Sequence, residues 1–166
     1  MTSEPTTCPA PAATFCEVTD GARTADLAWL SQRATASVAS SFDALAVEHG
    51  LADLRDWLVL NLAGDGTQRT QLEIATQLGI DKSTMVLILD RLERAGLIVR
   101  TSSASDRRVR IPEPTAAGRA IQVAIDQSRD STVDRLLEGV APADRDTFRD
   151  VLWHLATAGS RATAVS

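Results

Sequence analysis

What the chain lacks narrows the reading first. No stretch of its 166 residues approaches the roughly 20 consecutive apolar residues that span a bilayer, which excludes a membrane-spanning helix. The opening "MTSEPTTCPAPAATFCEV" has neither a basic n-region nor an apolar h-region, so no secretory signal is expected and the protein is read as cytoplasmic, with no membrane partner. Cysteines number two, Cys8 and Cys16, both ahead of any core. They are read as free thiols on a tail, because a disulfide framework staples a core. Histidines also number two. His49 and His154 are far apart and lack a ligand-type neighbour at i+3 or i+4, so no metal centre is expected. No paired-carboxylate, nucleophile–His or phosphate-loop pattern is found, so neither an enzyme nor a cofactor is expected.

What is present is a globular composition, 44% hydrophobic, enough for one domain with a core or a small domain with helical extensions. The net charge of −5, taken alone, argues against a nucleic-acid partner. The charge is uneven, however. From Lys82 to Arg110 seven cations (Lys82, Arg91, Arg94, Arg100, Arg107, Arg108, Arg110) stand against three anions (Asp90, Glu93, Asp106), a local +4 in a chain whose remainder carries −9. A basic island in an acidic chain is the electrostatic footprint of a phosphate-binding surface.

Periodicity organises the rest. Residues 1–23, with Pro5, Pro9 and Pro11 and no repeat, read as a disordered or weakly ordered tail. Leu27, Leu30, Ala34, Val38, Phe42 and Leu45 predict a helix from about Thr24 to Glu48, stopped at Gly50. Its stripe is too long to bury in a small domain and asks for a helical partner, a second copy being one candidate. Leu54 to Ala63 is apolar almost all round, which predicts a buried helix. Thr70 and Glu73 form a capping box for a helix ending at Gly79. "DKSTMVLILDRLERAG", residues 81–96, is a further helix with Met85, Ile88, Leu89 and Leu92 on its buried stripe. Val86 and Leu87 lie off that stripe, beside Ser83. Leu97–Arg100 and Val109–Ile111 read as two strands around the polar, basic tip "TSSASDRR". Thr115 caps a long helix to about Gly139, with a weaker stripe through Ile121, Ala124 and Ile125. Pro142 opens a last helix whose apolar face is Phe148, Val151, Leu152 and Leu155. Asp126, Asp130 and Asp134 form a row read as a solvated helix face.

"TQLEIATQLGIDKSTMVLILDRL" has the parts of a helix-turn-helix. Ala75 is small where two helices cross, Gly79 suits a turn needing positive φ, and Asp81 is placed to cap the second helix. A hairpin follows directly, so the unit is winged. The expected fold is mainly α (α+β), with a two-strand wing. The second helix would offer its outer face to a major groove.

From about Thr24 to Ala156 the chain resembles the MarR family of bacterial transcriptional regulators. The most specific piece is the wing. The family pattern is Asp-x-Arg, five residues, then Leu-Thr-x-x-Gly, and here Asp106-Arg107-Arg108 is followed at the same spacing by Pro114-Thr115-Ala116-Ala117-Gly118. Pro114 replaces the leucine, with Pro112 close by. Two prolines are expected to remove ladder donors, and so to shorten a third wing strand or re-aim the helix that follows.

The resemblance implies a homodimer on double-stranded DNA. Residues 24–50 and 115–158 would form a helical dimerisation domain, residues 51–114 a winged helix-turn-helix DNA-binding domain, and residues 159–166 a C-terminal tail. Recognition helices would enter successive major grooves of a pseudo-palindromic operator. Arg108 would reach a minor groove and Asp106 would brace the wing. Arg107, Arg110, Lys82 and Thr84 would contact phosphate, with Gln71, Ser83, Val86 and Leu87 completing the DNA-contact set. Val86 and Leu87 would meet thymine methyl groups. A small phenolic or lipophilic effector would occupy a cleft near Trp29 and Trp57, whose other reading is ordinary core. Peroxide-sensing members carry a cysteine near the start of the first long helix, where this chain has Ala28, Trp29 and Leu30, so that mechanism is not carried over. The predicted function is a ligand-responsive repressor. The alternative, prompted by Val86 and Leu87, is a winged-helix protein-interaction module that does not read DNA.

Overall fold

The structure, a computed structural model, describes residues 26–102 and 109–162. Its elements run α1 (Leu27–Glu48), α2 (Leu54–Gly64), α3 (Gln71–Leu78), α4 (Lys82–Arg94), β1 (Ile98–Ser102), β2 (Arg110–Pro114), α5 (Ala116–Leu136) and α6 (Pro142–Ala162). Two compact units divide the chain, the first ending at Asp126 and the second beginning at Gln127. Among the described residues, no helix is long and apolar enough to cross a membrane.

Each helix of the first unit starts where a side chain satisfies its orphan amides. α1 begins at Leu27, where the Asp26 carboxylate accepts from the amides of Ala28 and Trp29; Thr24, the expected start, lies outside the described residues. Asp53 caps α2 and Asp81 caps α4 in the same way. α3 has the reciprocal box foreseen from Thr70 and Glu73. It ends at Gly79, whose φ of 63° lets the chain reverse so that the Ile80 amide donates to Ala75 O at 2.9 Å. Around these turns one core gathers Leu60 of α2, Ile74 of α3, Met85, Ile88, Leu89 and Leu92 of α4, and Ile98 of β1. Burying such side chains contributes about 1.5–3 kcal/mol each before ordering entropy is counted.

The wing corrects the expectation about its prolines. β2 runs through Pro112 and Pro114, pairing antiparallel with β1 in the register Ile98↔Pro114, Arg100↔Pro112, Ser102↔Arg110. The Thr115 amide donates to Leu97 O at 2.9 Å. Ladder bonds alternate along an antiparallel pair, so Glu113 and Ile111 carry the next ones and both prolines fall between them. Their missing amides point away from β1, and the two-strand ladder loses nothing. The loss falls on the other side of β2. There the α2–α3 connection at Gly66, Thr67 and Gln68 faces Pro112 and Pro114 across a cleft without strand pairing, since β2 has almost no donor to give it.

In the second unit the Arg145 side chain ties the start of α6 to the preceding turn, donating to Val140 O, Leu137 O and the Asp134 carboxylate at 2.7 Å. Asp134 of the aspartate row is thus ion-paired, and Asp130 lies 3.9 Å from Arg129 Nε. Phe148, Val151, Leu152, Trp153 and Leu155 of α6 are all exposed, Trp153 at 72%.

Candidate nucleic-acid interface

Successive α4 side chains turn by about 100°, which puts Ser83 and Leu87 opposite the buried stripe of Met85, Ile88, Leu89 and Leu92. Leu87 is 65% exposed and Val86 36% exposed. The two differ in setting. Leu87 faces straight outward, while Val86 and Lys82 line a cleft shared with Leu72 and Thr76 of α3. Gln71 lines the same cleft from the first turn of α3.

Asp81 fixes the start of this helix. One carboxylate oxygen accepts from the amides of Ser83 and Thr84, both at 3.0 Å, and the other accepts from Thr84 Oγ1 at 2.5 Å. These bonds, the Thr84 hydroxyl foremost, hold its carboxyl below the ordinary value. The arrangement revises one expected contact: the proton Thr84 was to offer a phosphate is committed to Asp81. Ser83 and Lys82 remain exposed at the same helix end.

The basic island is also partly spoken for. Arg91 donates from Nε to both Asp56 carboxylate oxygens, at 3.1 and 2.9 Å, and reaches Asp53 Oδ2 at 3.4 Å. Asp56 is buried, and its other hydrogen bond is accepted from the Ala52 amide. Arg91 therefore pins α4 to the start of α2. Arg100 bonds Asp90 Oδ1 at 2.7 Å and, from Nε, Glu93 Oε2 at 2.9 Å. That pairing holds the Glu93 carboxyl below its usual range. Arg94 turns back to Asp90 O, and Arg110 donates to Ser102 Oγ while staying exposed. Two cations counted toward DNA are thus structural. The clue in the sequence was Asp56, an acid beside Trp57 at the start of a mostly apolar helix, which needs a counter-charge if it is buried.

The wing motif acquires a physical reason. Thr115 Oγ1 donates to Gly96 O at 2.7 Å and accepts from the Gly118 amide at 3.1 Å. A Cβ on Gly118 would lie 2.1 Å from the carbonyl oxygen of Leu97. The threonine therefore stitches the end of α4, the hairpin and the start of α5 together, and the glycine permits that approach.

The remaining expected site residues separate. Asp106, Arg107 and Arg108 lie outside the described residues. Trp57 is buried and stacks on Phe42, ring centroids 5.9 Å apart. Its indole Nε1 has no hydrogen-bond partner. Trp29 sits half-buried in the first turn of α1, roughly 20 Å along the helix from Phe42. The two tryptophans are not brought together.

Helices α3 and α4 joined by a tight glycine turn, followed at once by a β-hairpin docked on α4, define a winged helix-turn-helix protein. The chain belongs to the MarR family of transcriptional regulators, whose family model matches residues 55–109. Among solved structures, it is similar to the transcriptional repressor CouR bound to a 23-mer DNA duplex, with 34% identity over 85% of this chain and 99% of that one and a TM-score of 0.73. A MarR-family transcriptional regulator from Rhodococcus sp. RHA1 gives 29% identity, 82% and 96% coverage and a TM-score of 0.73. CouR from Rhodococcus jostii RHA1 bound to p-coumaroyl-CoA gives 28%, the same coverages and 0.69.

Proposed function

We propose that this protein is a ligand-responsive repressor that binds a pseudo-palindromic operator as a homodimer. The observation that carries the reading is the outer face of α4, where Lys82, Ser83, Val86 and Leu87 are all exposed at the capped start of the helix. Gln71 and Arg110 extend the contact set. Arg107 and Arg108 would add a phosphate contact and a minor-groove contact, with Asp106 as the bracing partner. The similarity to a repressor bound to DNA supports the same reading.

The dimer reading draws on α6. Its exposed Phe148, Val151, Leu152 and Leu155 form an apolar face larger than isolated surface residues explain. Residues 24–50 and 115–158 would make up the dimerisation domain. The effector would be a phenolic or lipophilic small molecule; one similar protein binds p-coumaroyl-CoA, whose acyl group is a phenol.

Selection of bound duplexes from a random DNA pool tests the function directly. The expected product is a palindrome with half-sites about ten base pairs apart, whose affinity falls steeply with salt. Arg108→Ala should weaken binding at least about tenfold, in keeping with loss of a minor-groove arginine, and leave the dimer intact. Absence of enrichment, or binding indifferent to salt, would favour the protein-interaction module instead.

A further inference from the structure

We propose that Leu72 is a further sequence-reading residue: with Val86 it walls an apolar cleft between α3 and α4 that takes the 5-methyl group of a thymine. The inference rests on the DNA reading above and adds α3 to the base-contacting surface.

Leu72 is 66% exposed on α3, whose buried residues are Ile74 and Ala75, so core packing does not account for it. The cleft beside it holds about 530 Å³. Ala75 and Met85, both buried, form its floor, Leu72 and Val86 its walls, and Gln71 and Lys82 also line it. The Asp81 carboxylate, the one acid in the lining, is turned onto the amides and hydroxyl of its own helix. The opening is therefore apolar inside with a cation at its edge. A polyanionic duplex matches the cation, and the one apolar group that a base pair presents in the major groove is the thymine methyl. The cleft continues from Lys82 and Val86, so a duplex that meets the outer face of α4 also meets Leu72.

A methyl-deletion cycle on the full chain tests this. The selected operator is made with deoxyuridine in place of each thymidine in turn, and binding is measured for the unmodified protein, Leu72→Ala and Val86→Ala. At one thymidine per half-site, removing the methyl should weaken the unmodified protein about fourfold, the worth of one buried methyl-sized group. The same replacement should cost either variant nothing. Leu87→Ala should keep the sensitivity at that position. Fully additive effects at every thymidine, on a duplex that does bind, overturn this inference alone. Failure to bind any duplex overturns it together with the DNA reading. A change in the sedimentation of free protein on Leu72→Ala would assign the cleft to a second copy of the chain and overturn it as well.

Discussion

Arg100 on β1 donates from Nη2 to the Asp90 carboxylate on α4 at 2.7 Å, and the same guanidinium holds Glu93. The wing is thereby fastened to the candidate recognition helix by a side chain whose charge is already balanced. Arg100→Gln should therefore lower operator affinity by about fivefold at most, the worth of a half-exposed ion-pair network. The slope of log affinity against log salt should not fall by the unit expected of a lost phosphate contact. Fluorescence anisotropy across a salt series reads both quantities, and a slope reduced by one would make Arg100 a DNA contact instead.

Gly118 is a position where even a single methyl has no room. Its Cβ would meet backbone rather than a movable side chain, 2.1 Å from Leu97 O. Gly118→Ala should cost about 3 kcal/mol, the upper end for overpacking. Urea unfolding measures it. An unchanged midpoint would mean that α5 starts elsewhere.

Removing Arg91 leaves the Asp56 carboxylate, 1% exposed, without its counter-charge. Arg91→Leu should destabilise the chain by about 3 kcal/mol, toward the lower end for breaking a buried pair because the arginine itself reaches water. Asp56→Asn should cost less, since the amide oxygen still accepts hydrogen bonds. Calorimetry of the two variants checks the order, and equal losses would refute it.

Asp81, Glu73 and Glu93 all have carboxyls held below their ordinary values by hydrogen bonds made only in the folded chain. A carboxylate with a depressed folded value stabilises the fold above its unfolded pKa, and that contribution disappears as pH falls through the folded value. Stability should therefore drop below about pH 4. Asp81 depends most on the Thr84 hydroxyl, so Thr84→Val should move its titration midpoint up toward 3.8. Carboxyl-carbon NMR follows that midpoint, and an unmoved value would contradict the assignment.

The helix-turn-helix was legible because its signals are local. Thr70 caps a box three residues away, Gly79 turns, and Asp81 caps its own helix. The lobe's internal pairing was not legible. Arg91 and Asp56 are 35 residues apart, and only the packing of α2 against α4 brings them together. A count of charges does not show that Arg91 has its partners far back in the chain and that Arg100 is held by Asp90 and Glu93 of the island itself. The prolines were misjudged for a related reason. Whether a proline harms a ladder depends on which way its nitrogen points, and that parity is set by the Thr115–Leu97 bond, not by composition. Val86 and Leu87 were correctly placed outside the core, but only the structure shows that Val86 shares its surroundings with α3.

The parity of Pro112 and Pro114 has a mechanical consequence. A third strand on that side would have shared any load placed on the hairpin. Without it, β2 meets α2 and the α2–α3 connection by van der Waals contact, as where Pro114 Cγ sits beside Gly64. Among the described residues, ion pairs and hydrogen bonds lead from the wing through Arg100 to α4 and through Thr115 to the start of α5. A pull on the hairpin therefore reaches α4 and the start of α5 through polar ties and α2 only at second hand, through Arg91 of α4, so the wing acts as a lever tied down on one side.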